Sequence, residues 1–590
     1  MLRAILIIIA IGMQLFAQGA NADPAPSEFV SLVHNGQFSD PSDKSWPRFP
    51  AGATVGAPEA GVPGNVLHVP FGNPPHGNAY DITFGQTNQA PIHAGDTIYF
   101  RAWMRSTEGS KIGVVYEESA PPNTKILRMT ATLTPQWTEY RFADIATRDY
   151  APGQARLTFF LGYGAGSADF ADVRVEEAGR TPLAALPITY NYFDGKQNTD
   201  SWRPAALARI EKIRKGDLAI KVVDQQNRAV AGASVEVHQL RHSFHFGTAV
   251  HADLILMPGD DGDKYRESLL RMFNTAVFEG EMKWMSPPKD YATMYKAIDW
   301  LKQHDFDIRG HNLVWGGWHF LPPEMQQMNA SQAMDLIHAR ITDMVVNRFK
   351  GDVYTWDVVN EPIGAPALWE KIGYDKIGQV YKWTREADPS IQLALNDYDL
   401  TEEESSGSNS RHKLEALVQQ LRAEGAPVDV IGMQCHIRIP MTTISRVLEI
   451  LDELAALHIR LEVTEYDLSV MDDTVHGQYT RDFLTAMFSH PAVQGFTVWG
   501  FWEGSQWVAA EGGAMIRRDW TPRPAAQAWE DLTKRQWWTN AAGVTNAGGD
   551  YRLRAFYGRH QITVSNGTLS KTVDIDLQPG QPANVVVQLP

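Results

Sequence analysis

The sequence predicts a multidomain protein: a (β/α)8 TIM barrel lying between an N-terminal β-sandwich and a small C-terminal β-domain. Three observations carry that expectation. From Phe244 onward, short apolar runs alternate with helix-period stretches, and eight such β-then-α units fit within about 290 residues. Before them lies a long region of period-two alternation broken by Gly, Pro, Thr and Asn. After Ala541 the alternation returns, as in His560-Gln561-Ile562-Thr563-Val564.

Taken in order, residues 1–22 have the form of a secretory leader. Arg3 supplies the positive start, the run from Ala4 to Phe16 is apolar, and Ala20-Asn21-Ala22 offers a small-x-small cleavage site before Asp23. A retained N-terminal anchor is the alternative, although the run falls short of the ~20 apolar residues of a membrane span. Residues 28–179 carry the sandwich pattern, with Thr138-Glu139-Tyr140-Arg141-Phe142 as one example, and residues 180–204 are proline-containing and aperiodic, a linker. Residues 205–243 hold a short helix and two strands, a small β extension. The barrel is expected over 244–535, with strands near 244–250, 272–278, 307–313, 353–359, 391–395, 428–433, 459–463 and 495–499. The C-terminal β-domain is expected over 541–590.

Composition narrows the function classes. The net charge is −16, from 53 Lys and Arg against 69 Asp and Glu, and the basic residues do not run in blocks, which argues against nucleic-acid or anionic-membrane partners. The 18 Trp are numerous enough to line a sugar-binding surface as well as a core. Cys435 is the single cysteine, so no intrachain disulfide forms and stability rests on burial. Neither zinc-ligand spacing, an EF-hand loop nor a phosphate-binding glycine loop is present, and no cofactor is expected. The expected product is an exported protein, extracellular or periplasmic, acting as a monomer without a membrane partner once the leader is removed.

In such a barrel, functional groups project from the C-terminal ends of the strands. Here most predicted strands end in a chemically capable residue: Glu279, His311, Asn360 and Glu361, Asn396 and Asp397, Gln434 and His436, Glu465, and Trp499. Glu361 and Glu465 are the leading pair. Cleaving a glycosidic bond needs a protonated acid at the leaving oxygen and a carboxylate on the other side of the anomeric carbon. Strands four and seven lie far enough apart around the barrel for two carboxyl groups to face each other across a sugar.

The motifs in this region are Arg309-Gly310-His311-Asn312-Leu313-Val314-Trp315, Trp356-Asp357-Val358-Val359-Asn360-Glu361-Pro362, Leu395-Asn396-Asp397-Tyr398, Ile431-Gly432-Met433-Gln434-Cys435-His436, Leu461-Glu462-Val463-Thr464-Glu465-Tyr466-Asp467 and Thr497-Val498-Trp499-Gly500. In that order, from Phe244 to Trp529, they resemble the family 10 glycoside hydrolases, whose main activity is endo-β-1,4-xylanase. The resemblance implies a retaining enzyme with Glu361 as acid/base and Glu465 as nucleophile, the carboxyl groups ~5–5.5 Å apart. It further implies that His436 and Asp467 orient the nucleophile and that Asn360 binds the sugar's 2-hydroxyl. Lys283, His311 and Trp315 would line the sugar-binding subsite at the point of cleavage, and Glu279 would also bind substrate. Asn396, Tyr398 and Gln434 would complete the polar lining, with Trp499 and Trp507 as aromatic walls. Cys435, between two site residues, is expected to point away into packing.

The chain departs from the family pattern in three places. Gly280 stands where an asparagine is usual in the segment Glu279-Gly280-Glu281-Met282-Lys283-Trp284. Gly316-Gly317-Trp318 replaces a second histidine after Trp315, and the loop after strand eight reads Phe501-Trp502-Glu503-Gly504-Ser505-Gln506-Trp507. Hydrogen-bond mismatches discriminate substrates strongly, so a decorated xylan or another β-glycan stands beside xylan as substrate. A noncatalytic glycan-binding barrel is the rival from another class. The sandwich resembles carbohydrate-binding modules through Asn35-Gly36-Gln37-Phe38-Ser39 and Leu133-Thr134-Pro135-Gln136-Trp137, with a spacer role as the alternative.

Overall fold

A computed structural model describes residues 29–590 apart from 47–48, 76–78, 122, 189–191, 194–197, 286–290, 403–404 and 582. The leader expected over residues 1–22 lies outside the described residues. Among the described residues no helix is long and apolar enough to cross a membrane. The chain divides into two compact units, one within residues 1–190 and one from Asn191 to Pro590.

The first unit is a two-sheet β structure. One sheet has the strand order Thr54–Gly56, Val66–Phe71, Gly166–Glu177, Thr97–Arg105, Thr138–Ile145, with Val30–Ser31 also on Gly166–Glu177; the other runs Thr83–Thr87, Ala155–Phe160, Lys111–Glu118, Lys125–Thr132. Alternate residues of each sheet face inward, and their phenyl rings meet between the sheets. Phe170 of the first sheet lies 5.2 Å from Phe84 and 4.9 Å from Phe159 of the second.

In the second unit, eight parallel strands close on themselves. They are β1 (His245–Val250), β2 (Thr275–Phe278), β3 (Asp307–Gly310), β4 (Thr355–Asn360), β5 (Gln392–Asp397), β6 (Val430–Met433), β7 (Arg460–Leu468) and β8 (Val493–Val498). Each pairs with its neighbours, β8 returns to β1 with His245 opposite Gly495, and β3 meets β4 with Arg309 opposite Thr355. The barrel strands are thus the eight the apolar runs predict. Their outer faces pack against amphipathic helices such as Ile444–Ala455, which buries Ile444, Val447, Ile450, Leu451 and Leu454 at helical spacing.

The β extension over 205–243 and the C-terminal β-domain over 541–590 appear as separate pieces in the sequence. In the structure they are one body. Lys215–Val223 lies between Asp550–Phe556 and Ala583–Gln588, and Ser234–His242 lies between Asn540–Val544 and Gly558–Asn566, with Leu569–Leu577 outermost. Leu218, Ile220, Val222, Val235 and Val237 from before the barrel share a core with Ile562, Val564, Leu577 and Val587 from after it. The two strands before the barrel would alone leave an apolar face open, and the five after it close that face; hydropathy along the chain carries no sign of that pairing.

Candidate active site

Two irregularities in the barrel bring the glutamates inward. In β4 the register against β5 slips between Asp357 and Val359. That extra residue resets the in–out alternation, so Asp357 and Asn360 both serve the barrel interior. In β7 the register against β8 slips between Val463 and Tyr466, and Thr464 and Glu465 both reach the same centre. Glu361 then leaves β4 with a left-handed backbone, φ 54°, its N–H held by Asn396 O at 2.7 Å. Cys435 is likewise left-handed, φ 62°, and its buried thiol accepts from the Thr401 hydroxyl, pointing away from the flanking site residues as expected.

Glu361 accepts from Trp315 Nε1 at 2.7 Å on one oxygen and from Gln434 Nε2 at 2.9 Å on the other. Burial pushes its carboxyl above the ordinary value; these two donors oppose the rise and the negative charge of Glu465 adds to it. Glu465 accepts from Asn396 Nδ2 at 2.7 Å, and His436 Nε2 stands 3.3 Å from its other oxygen. Burial would raise this carboxyl too, but His311 and His436 outweigh it and hold Glu465 below the ordinary range. Burial lowers the His436 imidazole, yet Asp467, 2.9 Å from Nδ1, and Glu465 together lift it to about 10.

Beneath this pair runs a buried charged floor. Arg309 bonds Asp357 and lies 3.1 Å from Glu462, Tyr354 donates to Glu462 at 2.8 Å, and Asp357 holds His311 Nδ1 at 2.8 Å. Asp397 accepts the backbone N–H groups of Ile363, Gly364 and Tyr398, fixing the turn that follows Glu361. Burial raises Asp397 to about 8 against those donors, with Glu361 adding to the rise. Arg309 and Asp357 lie inside motifs already quoted, but nothing in the alternation of β4 distinguishes an inward Asp357 from an outward one.

The expected site residues gather at this end of the barrel. Lys283 Nζ lies 5.0 Å from the Trp315 ring and 5.7 Å from the Trp499 ring, and the His311 and Trp499 rings are 5.1 Å apart. Glu279 pairs with His251 at 3.1 Å. Tyr398 donates to Gly364 O at 3.0 Å, and Trp507 lies 5.1 Å from the His436 ring with half its surface exposed. Asn360 is buried, and its Nδ2 has no partner among the described residues.

Two of the expected lining residues are hydrogen-bonded to the glutamates. Asn396 and Gln434, expected in the sugar-contacting lining, are wholly buried. Asn396 is committed to Asn360, Glu465 and Thr464, and the Gln434 amide nitrogen to Glu361. They hold the glutamates. Gly432 makes this possible, since a Cβ there would sit 2.3 Å from Asn396 Oδ1. Gly316 has a similar cause: a Cβ would lie 2.5 Å from Ala365 O and 2.9 Å from the Trp369 indole nitrogen, leaving no room for a histidine.

His251, Asp253 and Glu281 bring ligand-type atoms within 4.8 Å of one another. Both Glu281 oxygens, however, accept backbone N–H groups, from Ala252 and Gly280. That carboxylate is committed to shaping the loop.

The family model for glycosyl hydrolase family 10 matches residues 237–532, half of the chain. The chain belongs to that family. Its family 10 region includes β1 to β8 and every site residue described above. Anti-sigma-I factor RsgI6 of Acetivibrio thermocellus is 30% identical over 371 residues, covering 62% of this chain and 47% of that protein. Endo-1,4-beta-xylanase 1 of Arabidopsis thaliana is 29% identical over 374 residues, covering 62% of this chain and 38% of that protein. The chain thus spans less than half the length of these relatives. Among solved structures, xylanase 10B from Thermotoga petrophila RKU-1 in complex with xylobiose is 25% identical, with 50% of this chain and 95% of that one covered and a TM-score of 0.45.

Proposed function

We propose that the chain is an exported, retaining endo-β-1,4-xylanase. The observation that carries the reading is the opposite displacement of two carboxyl groups at one barrel mouth, one half-buried and one buried: Glu361 is raised and Glu465 lowered. A retaining glycosidase needs one group protonated and the other ionised at the same pH.

In this reading Glu465 attacks the anomeric carbon while Glu361 gives its proton to the departing glycosidic oxygen. Esterified Glu465 is no longer negative, so Glu361, now deprotonated, loses one of the causes of its raised pKa and can serve as base. Water attacks the glycosyl carbon, its proton passes to Glu361, and Glu465 leaves as carboxylate. Asn360 Nδ2, buried without a partner among the described residues, is the donor for the 2-hydroxyl of the sugar at the point of cleavage. Lys283, His311, Trp315 and Trp499 frame that sugar, and Glu279 and Trp507 extend the donor side. The Arabidopsis relative is an endo-1,4-beta-xylanase by name, which favours xylan as the substrate here. The resemblance of Asn35-Gly36-Gln37-Phe38-Ser39 to carbohydrate-binding modules supports a glycan-binding role for the sandwich, with a spacer role as the alternative.

The deciding experiment measures reducing-sugar release from xylan, cellulose and mixed-linkage glucan side by side. Xylan should be the preferred substrate, Glu465→Gln should abolish turnover, and azide should rescue Glu361→Ala on an activated aryl glycoside. Activity retained in Glu465→Gln, or no azide rescue, overturns the assignment of roles. Preference for a glucan overturns the substrate.

A further inference from the structure

Asp467, at the end of β7, is wholly buried, and side chains from two other segments converge on its two oxygens. One oxygen accepts from His436 Nδ1 at 2.9 Å and from Trp507 Nε1 at 2.7 Å. The other accepts from the Arg438 guanidinium at 3.0 Å. Arg438 follows His436 by two residues, whereas Trp507 comes from the loop after β8. The guanidinium also lies 5.5 Å from the centre of the Trp507 ring, and its Nε is 3.9 Å from Glu511.

Trp507 therefore has two ends with different tasks. The residue is 54% exposed, as a surface for a sugar must be. Its N–H is turned inward and spent on a carboxylate that has no solvent contact. A tryptophan kept only as a stacking wall has no need to aim its single donor at a buried anion. A carboxylate held by one imidazole can still rotate about its own side-chain bonds. Donors from three directions fix both oxygens, and a fixed Asp467 fixes the ring plane of His436, whose Nε2 stands 3.3 Å from Glu465.

We propose that Trp507 and Arg438 are positioning residues for the nucleophile, acting on Glu465 through Asp467 and His436. The inference rests on reading Glu465 as the nucleophile. It adds two members, from the loops after β6 and β8, to the group that orients Glu465, and it makes one residue both a wall of the sugar cleft and a support of the reacting carboxylate.

The test uses the full chain and an activated aryl xylobioside. Trp507→Phe keeps an aromatic face and deletes the N–H; Arg438→Met keeps the stem and deletes the charge. Each should lower kcat about ten-fold, the loss of one hydrogen bond to a charged group, while KM changes by less than about two-fold. Trp507→Ala should raise KM as well, because the wall goes with the donor. In an Asp467→Ala background, Trp507→Phe and Arg438→Met should lower kcat no further, since the group they act through is gone. Arg438→Met keeps the inference falsifiable should Trp507→Phe fail to fold. Unchanged kcat in both variants, or an equal loss with and without Asp467, overturns it. Full activity in Glu465→Gln is a different failure, of the nucleophile assignment itself.

Discussion

Glu361 receives its hydrogen bonds from an indole and a carboxamide, Trp315 and Gln434, while Glu465 faces a carboxamide and an imidazole, Asn396 and His436. Both carboxyl groups are largely withdrawn from solvent, so burial pushes both upward. The difference lies in what stands behind the donors. The imidazole facing Glu465, His436, is lifted well above its ordinary value by Asp467 and Glu465, whereas the donors to Glu361 are a neutral indole and a neutral carboxamide. Neutral donors reduce the desolvation penalty without reversing it; charged ones reverse it. In the proposed mechanism this difference keeps one carboxyl group protonated while the other is ionised.

The largest effect comes from breaking the charged floor. Arg309 is enclosed with Asp357 and Glu462, and Arg309→Met would leave two buried carboxylates without their cation. Such a loss costs about 3–5 kcal/mol, which chemical denaturation of the barrel should register. A change below about 1 kcal/mol would mean the floor is not what holds the charges. Next comes His436→Leu, which removes the imidazole that lowers Glu465 while leaving the surroundings of Glu361 in place. We expect kcat to fall on the order of 100-fold. The sign of the pH effect follows from the cause: with the imidazole gone, the Glu465 carboxyl rises, so the acid limb of kcat/KM moves to higher pH. An acid limb that stays put would separate His436 from the nucleophile.

How far the site was legible in the sequence follows the same division. That Glu361, Glu465, His436 and Asp467 lie at one end of the barrel could be read because they fall at strand ends within a run of motifs in the right order, and strand ends of a barrel converge whatever the details of pairing. The hydrogen bonds of Asn396 and Gln434 to the glutamates could not. Whether an amide at a strand end faces a sugar or a glutamate depends on register slips at Asp357/Val359 and Val463/Tyr466, which shift side chains by one position and leave no mark on hydropathy. The union of 215–242 with 540–590 was hidden for a related reason. Each segment reads as a short β run, and only contact across some 300 residues of chain closes the core they share.

The smallest effect falls on the neutral side and is the sharpest test of the contrast. Gln434 Nε2 donates to Glu361 and so works against the rise that burial imposes. Gln434→Leu removes the donor at nearly constant volume and adds no charge. The Glu361 carboxyl should then rise further, and because the acid must be protonated to act, the alkaline limb of kcat/KM should move to higher pH, by up to about one unit for the loss of one such bond. The Glu465 carboxylate takes no bond from the Gln434 side chain, and the backbone bond from Glu465 N–H to Gln434 O survives the substitution, so the acid limb should hold its position. Movement of both limbs together would mean that the two carboxyl groups titrate as one coupled pair, and the division between a neutral and a charged side would have to be abandoned.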